Sequence, residues 1–187
     1  MDYRYLIALF LLLNICSFCN SKEEEEKLFS NPLKIMNCAS YLIHKVIKKD
    51  TRIALETYQR LGVLTPEGYN NGDIANKDNW YYVREGLWGE HTISLESSTQ
   101  KDYFLRLSGS NIRLEKYEES ANFKIDASFI PTTGVEDYLL LSLRPLRDPK
   151  SYVRHYGGVI SNMGHKYFDD YDRDATWRVY TDKDIED

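Results

Sequence analysis

Short runs in which apolar and polar residues alternate recur along the second half of the chain. Residues 93–97 read Ile-Ser-Leu-Glu-Ser, residues 104–107 read Phe-Leu-Arg-Leu, and residues 138–143 form a strongly apolar run. Gly109, and further on Gly157 and Gly158, supply turn signals beside such runs. Alternation interrupted by turns at this spacing predicts β-strands of a barrel or a sandwich rather than helices.

A four-residue motif, an aspartate followed three positions later by an aromatic residue, occurs three times at intervals of 48 residues. The copies occupy residues 78–81, 126–129 and 174–177 and read Asp-Asn-Trp-Tyr, Asp-Ala-Ser-Phe and Asp-Ala-Thr-Trp. We call this the tag. A fixed period of this length indicates repeated supersecondary units. We expect the aromatic residues of the tags to pack in the core, near an axis that relates the repeats.

A second landmark precedes the tags. Residues 152–155 (Tyr-Val-Arg-His) and residues 104–107 each end 19 positions before their tag. In the first copy the best match is residues 41–44 (Tyr-Leu-Ile-His), which end 34 positions before it. The first repeat would then carry an insertion of 15, and residues 53–61 are a candidate helix or loop for it. Three such units of short strands predict an all-β fold, the β-trefoil.

The landmark and the tag together resemble the arabinose-binding domain of α-L-arabinofuranosidase B. The resemblance is best over residues 91–187, and residues 86–89 are similar to that family's junction between repeats. The first repeat matches weakly, through Tyr41, His44 and Asp78. The resemblance implies a β-trefoil and a non-catalytic domain whose His and Asp hold a terminal arabinofuranose.

Transferred residue by residue, the resemblance implies three sugar sites of unequal quality. A sugar pocket needs a carboxylate, a second polar group and an apolar wall. The third repeat keeps all three, the first repeat keeps two, and the second has Leu107 where His is expected, so we expect that site to be inactive or altered. The candidate sugar-binding residues are His155, Asp174 and Tyr152 in the third repeat, His44 and Asp78 in the first, and Asp126 in the second.

Two structural interpretations of the same residues stay open. An aspartate repeated at one place in three units could cap a turn by accepting backbone N–H bonds. His155 could simply be an exposed residue at a strand end.

The first thirty residues predict a targeting segment and a leader. Residues 1–20 combine Arg4, an apolar run over residues 5–15 and the small residues Ser17 and Cys19, as in a secretory signal peptide. Residues 21–30 contain four consecutive glutamates and are expected to be an acidic disordered leader. The β-trefoil is expected over residues 31–181, with repeats at about 32–88, 90–135 and 136–181, followed by an acidic tail over residues 182–187.

Cleavage after the signal would leave Cys38 as the single cysteine, either buried or paired with another chain. The net charge of −5 argues against nucleic acid as a partner. No nucleophile motif, phosphate loop or metal-ligand spacing is present, and we expect no cofactor.

The predicted function is therefore that of a secreted, non-catalytic carbohydrate-binding module with no membrane contact after cleavage. Its expected partners are glycans or polysaccharide side chains. The alternatives are a protein-interaction β-trefoil with a degenerate sugar pocket, using the first-repeat insertion and residues 166–172, and an arabinofuranosidase relative with residual hydrolysis.

Overall fold

The computed structural model describes residues 47–58, 63–66, 68–70, 73–154 and 171–184, with residues 68–70 described through their backbone. The chain divides into two compact units, Met1–Cys38 and Ala39–Asp187, and all described residues belong to the second. The predicted signal peptide, the acidic leader, His44 and His155 lie outside the described residues. Within those ranges, no helix is long and apolar enough to cross a lipid bilayer.

The described residues form ten strands and four short helices. In chain order the strands are β1 Arg52–Thr57, β2 Val63–Thr65, β3 Gly68–Asn70, β4 Tyr81–Glu85, β5 Ile93–Ser97, β6 Tyr103–Ser108, β7 Asn111–Lys116, β8 Phe129–Thr133, β9 Leu141–Pro145 and β10 Trp177–Thr181. The helices are α1 Ala121–Asp126, α2 Tyr171–Asp174, and the 3₁₀ helices Lys77–Asn79 and Asp182–Asp184.

Six of these strands form a closed ring. β1 pairs with β4, β4 with β5, β5 with β8, β8 with β9, β9 with β10, and β10 returns to β1, all antiparallel. Two hairpins, β2–β3 and β6–β7, extend from the ring. Closure leaves no exposed edge in the ring, and the predicted all-β barrel is confirmed.

The three tags have the same local structure. In each one a short helix ends at the aspartate or one residue after it, and a barrel strand begins at the aromatic residue. Tyr81, Phe129 and Trp177 are 0%, 1% and 0% exposed, as predicted for core residues. Each faces the apolar residue of a neighbouring barrel strand, in the pairs Ile53–Tyr81, Ile93–Phe129 and Leu141–Trp177.

The second and third repeats also share hydrogen bonds at the 48-residue interval. Ser128 Oγ donates to Lys124 O (2.8 Å) and accepts from Trp88 N (2.9 Å). Thr176 Oγ1 donates to Asp172 O (2.8 Å) and accepts from Glu136 N (3.0 Å). Both side chains are fully buried. These hydroxyls join the helical turn of a tag to the junction loop before it, so their hydrogen-bonding capacity is satisfied inside the core.

The segment suggested as a helix or a loop, residues 53–61, is a strand over most of its described part. Residues 52–57 are strand β1, which completes the ring between β10 and β4. Measured between paired positions, the first repeat is shorter than the others: 28 residues separate Ile53 from Tyr81 (81 − 53), against 36 from Ile93 to Phe129 (129 − 93). The period was ambiguous because Ala54 is buried as well as Ile53 and Leu55.

Helix α1 was not predicted, although its start is readable from the sequence. Ser120 Oγ accepts from Phe123 N (3.1 Å), the bond of a helix N-cap. Phe123 is fully buried under the hairpin beside Phe104 and Tyr117. The turn is therefore held by its cap and by one anchored aromatic ring.

Candidate functional site

The third repeat brings two tyrosines and the tag aspartate into one neighbourhood. The Tyr152 and Tyr171 rings meet edge to face, with centroids 6.4 Å apart. Tyr171 opens helix α2, and Asp174 is the last residue of the same turn. Tyr152 and Asp174 are half-buried, so both are reachable from solvent. Tyr152 and the turn that carries Asp174 are thus linked through the Tyr171 ring, and the third sugar site, His155 included, stays a prediction.

The backbone around Tyr152 is fixed by the barrel. Val153 N donates to Leu143 O (2.8 Å), and Trp177 Nε1 donates to Val153 O (3.0 Å). The Arg144 guanidinium lies 6.0 Å from the Tyr152 ring centroid. Two bonds to buried barrel residues hold the segment, so the Tyr152 ring has a defined position before any ligand arrives.

Arg154 is buried against the ring of Tyr171. It is 4% exposed, and its guanidinium carbon lies 5.5 Å from the centroid of the Tyr171 ring. The second repeat has the same arrangement 48 residues earlier, with Arg106 at 5.0 Å from Phe123. Burial raises the pKa of Tyr171 while the Arg154 charge opposes that rise. Tyr171 is therefore a neutral phenol at physiological pH.

The tag aspartate of the second repeat is enclosed by two arginines. Asp126 is 8% exposed; its Oδ2 accepts from Arg106 Nη2 (3.2 Å) and its Oδ1 from Arg147 Nε (2.6 Å). Leu107, which stands where His was expected, is a member of the hydrophobic core. Both carboxylate oxygens of Asp126 thus already accept from an arginine, and an inactive or altered second site stays a prediction.

The tag aspartate of the first repeat is exposed, and its carboxylate accepts a hydrogen bond from the second repeat. Thr99 Oγ1 donates to Asp78 Oδ1 (2.7 Å). Thr99 and Arg147 stand 21 residues after Asp78 and Asp126 respectively, so these two tags contact the same place in the repeat that follows them. β2 pairs with β1 as β6 pairs with β5, so β2 is the counterpart of β6, the strand that contains the landmark of the second repeat. His44 precedes β1 in the chain and therefore does not stand at the corresponding position of the first repeat.

The hydrogen bonds found at the tag aspartates of the first and second repeats are not those of turn caps. The caps are Asn76, whose Oδ1 accepts from Asp78 N (3.0 Å), and Ser120. The hydrogen bonds found at the Asp78 and Asp126 carboxylates come from side chains. The carboxylates are thus not needed to start the helical turns.

Sequence reasoning missed the arginines. Arg106 and Arg154 occupy the same place in the landmark, 48 residues apart, and this spacing was the available signal. Arg147 had no such signal, because it reaches Asp126 from the next repeat. Within the described residues, no group of three or more His, Cys, Asp or Glu side chains could hold a metal ion.

The model of the alpha-L-arabinofuranosidase B (ABFB) domain family matches residues 53–179, which is most of the chain. The chain belongs to the ABFB domain family. The match covers all six strands of the ring except the ends of β1 and β10. The resemblance inferred from the landmark and the tag is therefore confirmed.

Two further comparisons agree with an ABFB domain. A probable alpha-L-arabinofuranosidase B from Aspergillus clavatus is 32% identical over 103 residues, which are 52% of this chain and 20% of that protein. The chain thus corresponds to about a fifth of this relative's length. An arabinofuranosidase complexed with arabinofuranosyl-α-1,2-xylobiose superposes with a TM-score of 0.62 at 20% identity, covering 72% of this chain and 31% of the other.

A structure described as the BEL β-trefoil superposes with a TM-score of 0.52 at 13% identity. It covers 72% of this chain and 94% of the other. At these identities the likeness establishes the fold alone. Together with the closed ring of strands, it confirms the β-trefoil for the ABFB domain.

Proposed function

We propose that this chain is a secreted, non-catalytic carbohydrate-binding module that holds an arabinofuranose-like or other terminal sugar in its third repeat. The observation that supports the proposal is that, in an ABFB domain, the half-buried Tyr152 contacts the buried ring of Tyr171, whose helical turn ends at the half-buried Asp174. A related arabinofuranosidase has been solved with arabinofuranosyl-α-1,2-xylobiose, which supports this class of ligand.

The proposed chemistry divides the sugar between three groups. Asp174 accepts hydrogen bonds from neighbouring hydroxyls, and charge-assisted bonds of this kind are the stronger ones. Tyr152 presents an aromatic surface to the C–H face of the ring, and His155 fixes its orientation. A single small pocket forms few net hydrogen bonds at about 1 kcal/mol each, so a dissociation constant on the order of micromolar to millimolar is expected.

The proposal excludes hydrolysis by this chain. A glycosidase needs two carboxylates at a set separation across the substrate. The matches fall on the ABFB domain, and the chain corresponds to 20% of the curated relative. We expect no turnover of a chromogenic arabinofuranoside by the pure protein; release of the chromophore above the blank would contradict this part of the proposal.

Calorimetric titration with arabinofuranosyl-α-1,2-xylobiose tests the site. We expect Asp174→Ala and His155→Ala each to weaken binding by about tenfold or more, because a hydrogen bond to a charged group is lost. Glu118→Ala is the matched control, since Glu118 is an exposed acid on the loop before α1. Circular dichroism checks that each variant is folded. Unchanged affinity in both site variants would reject the site.

Secretion is a separate part of the proposal and needs its own test. Residues 1–20 have the charge and apolar pattern of a signal peptide. Expression of the whole chain in a secreting host, with mass spectrometry of the medium, should find a product that begins near residue 21. Retention of full-length chain in the cells would contradict this expectation.

One observation favours the second candidate function, a protein-interaction β-trefoil. Trp88 and Leu139 are 46% and 45% exposed, and they lie in the corresponding junction loops before β5 and β9. Isolated apolar side chains on a surface are common, but exposed aromatics are enriched in interfaces. Capture of a partner that competing sugar does not release, and that Trp88→Ser abolishes, would favour this candidate over sugar binding.

A further inference from the structure

A second concave site lies on the outer face of the barrel, away from the third repeat. It is an open cavity of about 460 Å³ between β4, β5 and the loop that leads into β6. Its walls include Tyr82, Arg84, Glu96, Ser98, Thr99 and Lys101. None of these residues belongs to the landmark or to the tag.

The base of the cavity is held rigidly. Glu96 is 8% exposed; its Oε2 accepts from Arg84 Nε (2.6 Å) and its Oε1 from Asp102 N (2.9 Å). The Arg84 guanidinium lies 4.9 Å from the centroid of the Tyr82 ring and also pairs with Asp50. Because Tyr82, Arg84 and Glu96 are held by one another and by their neighbours, this part of the cavity does not depend on a ligand for its shape.

The rim of the cavity contains a strained residue. Asp102 has φ of +63°, in the left-handed region that residues other than glycine rarely adopt. Its N–H is bound to Glu96 and its carbonyl accepts from Tyr117 N (2.7 Å). Strain kept in place by bonds on both sides is a feature that clusters at ligand sites.

The hydrogen-bonding groups around the cavity are incompletely used. Ser98 Oγ donates to Lys77 O (2.9 Å) and Thr99 Oγ1 donates to Asp78 (2.7 Å), so each hydroxyl has given its proton and can only accept further bonds. Thr99 Oγ1 already accepts from Ser97 Oγ (3.4 Å) and keeps one lone pair for a ligand. The Lys101 ammonium is exposed, and in the described part of the chain it has no hydrogen-bond or ion-pair partner. The site thus offers acceptors and a donor together.

The charges of the wall residues favour a neutral ligand over an acidic one. Arg84 and Lys101 are balanced by Glu96 and Asp102, so the lining carries no net charge. Asp50 adds a negative charge next to Arg84. A uronic acid would meet three carboxylates, whereas a neutral polyhydroxylated ring can donate and accept without adding a charge.

We propose that this cavity is a second sugar subsite that takes a neutral sugar residue, with Lys101 donating to a ring or hydroxyl oxygen and the Ser98 and Thr99 oxygens accepting from hydroxyls. It rests on the proposed function for its class of ligand and adds a site that is independent of the third repeat. A chain with two such subsites would contact a polysaccharide at two places and gain avidity from a single molecule.

Nuclear magnetic resonance titration of the ¹⁵N-labelled full chain separates the two sites. The probes are xylobiose, methyl α-L-arabinofuranoside and, as the charged comparison, galacturonate. With a neutral probe we expect saturable shifts of the amides of residues 98–102. Lys101→Ala should lower the affinity for xylobiose about fivefold, because one net hydrogen bond is lost. Galacturonate should bind the unchanged protein about fivefold more weakly than xylobiose does, because its carboxylate meets those of the cavity. Lys116→Ala, an exposed lysine on β7, is the matched control and should bind normally.

The outcomes distinguish this inference from the proposed function. Shifts confined to residues 152–154 and 171–174 would overturn the second subsite and leave the third-repeat site intact. Shifts confined to residues 98–102 would support the subsite and reject the third-repeat site. Saturable shifts at residues 98–102 that Lys101→Ala leaves unchanged would overturn the assigned role of the lysine.

Discussion

Replacing Asp126 with alanine removes a buried carboxylate that two arginines share, which makes it the most informative single perturbation of this domain. Asp126 accepts from Arg106 Nη2 at 3.2 Å and from Arg147 Nε at 2.6 Å. The side chains of Asp126 and Arg106 are 11% and 18% exposed, against 39% for Arg147. Arg106 therefore suffers more from the loss than Arg147 does.

The expected loss in the free energy of unfolding depends on which interactions each arginine keeps after the substitution. A buried pair that loses one partner costs about 3–5 kcal/mol, because an uncompensated charge stays behind. Arg106 keeps Glu115 at 3.2 Å, which reduces the penalty, and Arg147 can turn to solvent, where an ion pair is worth about 0–1 kcal/mol. We therefore expect Asp126→Ala to lower the free energy of unfolding by about 2–4 kcal/mol, or roughly 5–12 °C in Tm.

Urea unfolding followed by tryptophan fluorescence measures the loss. The matched control is Glu85→Ala, which breaks the Lys49–Glu85 pair at 3.4 Å, where the side chains are 65% and 81% exposed. We expect the control to cost less than about 0.5 kcal/mol. Equal effects of the two variants would refute the view that the second tag has become a structural ion-pair centre.

Three further predictions concern the core, the helix cap and pH. Phe129→Ala should cost about 3–5 kcal/mol in thermal or urea unfolding, since Phe129 is 1% exposed at the start of β8; a cost below about 1 kcal/mol would contradict its core position. Ser120→Ala should cost about 1 kcal/mol because Phe123 N loses its cap, and Ser120→Asp, which can still cap, should restore stability; equal losses in both variants would argue against capping. Burial, aided by the Asp78 charge, raises the pKa of Tyr81, so its contribution to stability is complete below about pH 10, where an unfolded tyrosine ionises, and is lost as pH rises further. Urea unfolding of Tyr81→Phe between pH 9 and 11 should show a weaker alkaline loss; an unchanged slope would contradict the burial argument.

The sequence by itself determined the features that are local and repeated. The 48-residue interval located the tags, and the three aromatic residues are core residues that begin or adjoin barrel strands. Alternation located β5 and β6, because strand period and turn residues are properties of a few neighbouring positions. The family could be inferred for the same reason: the landmark and the tag lie close together along the chain.

Only the tertiary structure decided the features that depend on distant residues. Strand β1 was unreadable because Ala54 and Leu55 are both buried, and its role appears only when β10 and β4 close on either side of it.

Likewise, the state of the first two tag aspartates depends on a residue 21 positions later, Thr99 for Asp78 and Arg147 for Asp126. The same Asp-x-x-aromatic tag can thus present an open carboxylate or a closed ion pair. That difference lies in the neighbouring repeat, and the antiparallel pairing of β4 with β5 and of β8 with β9 is what brings the neighbour into contact.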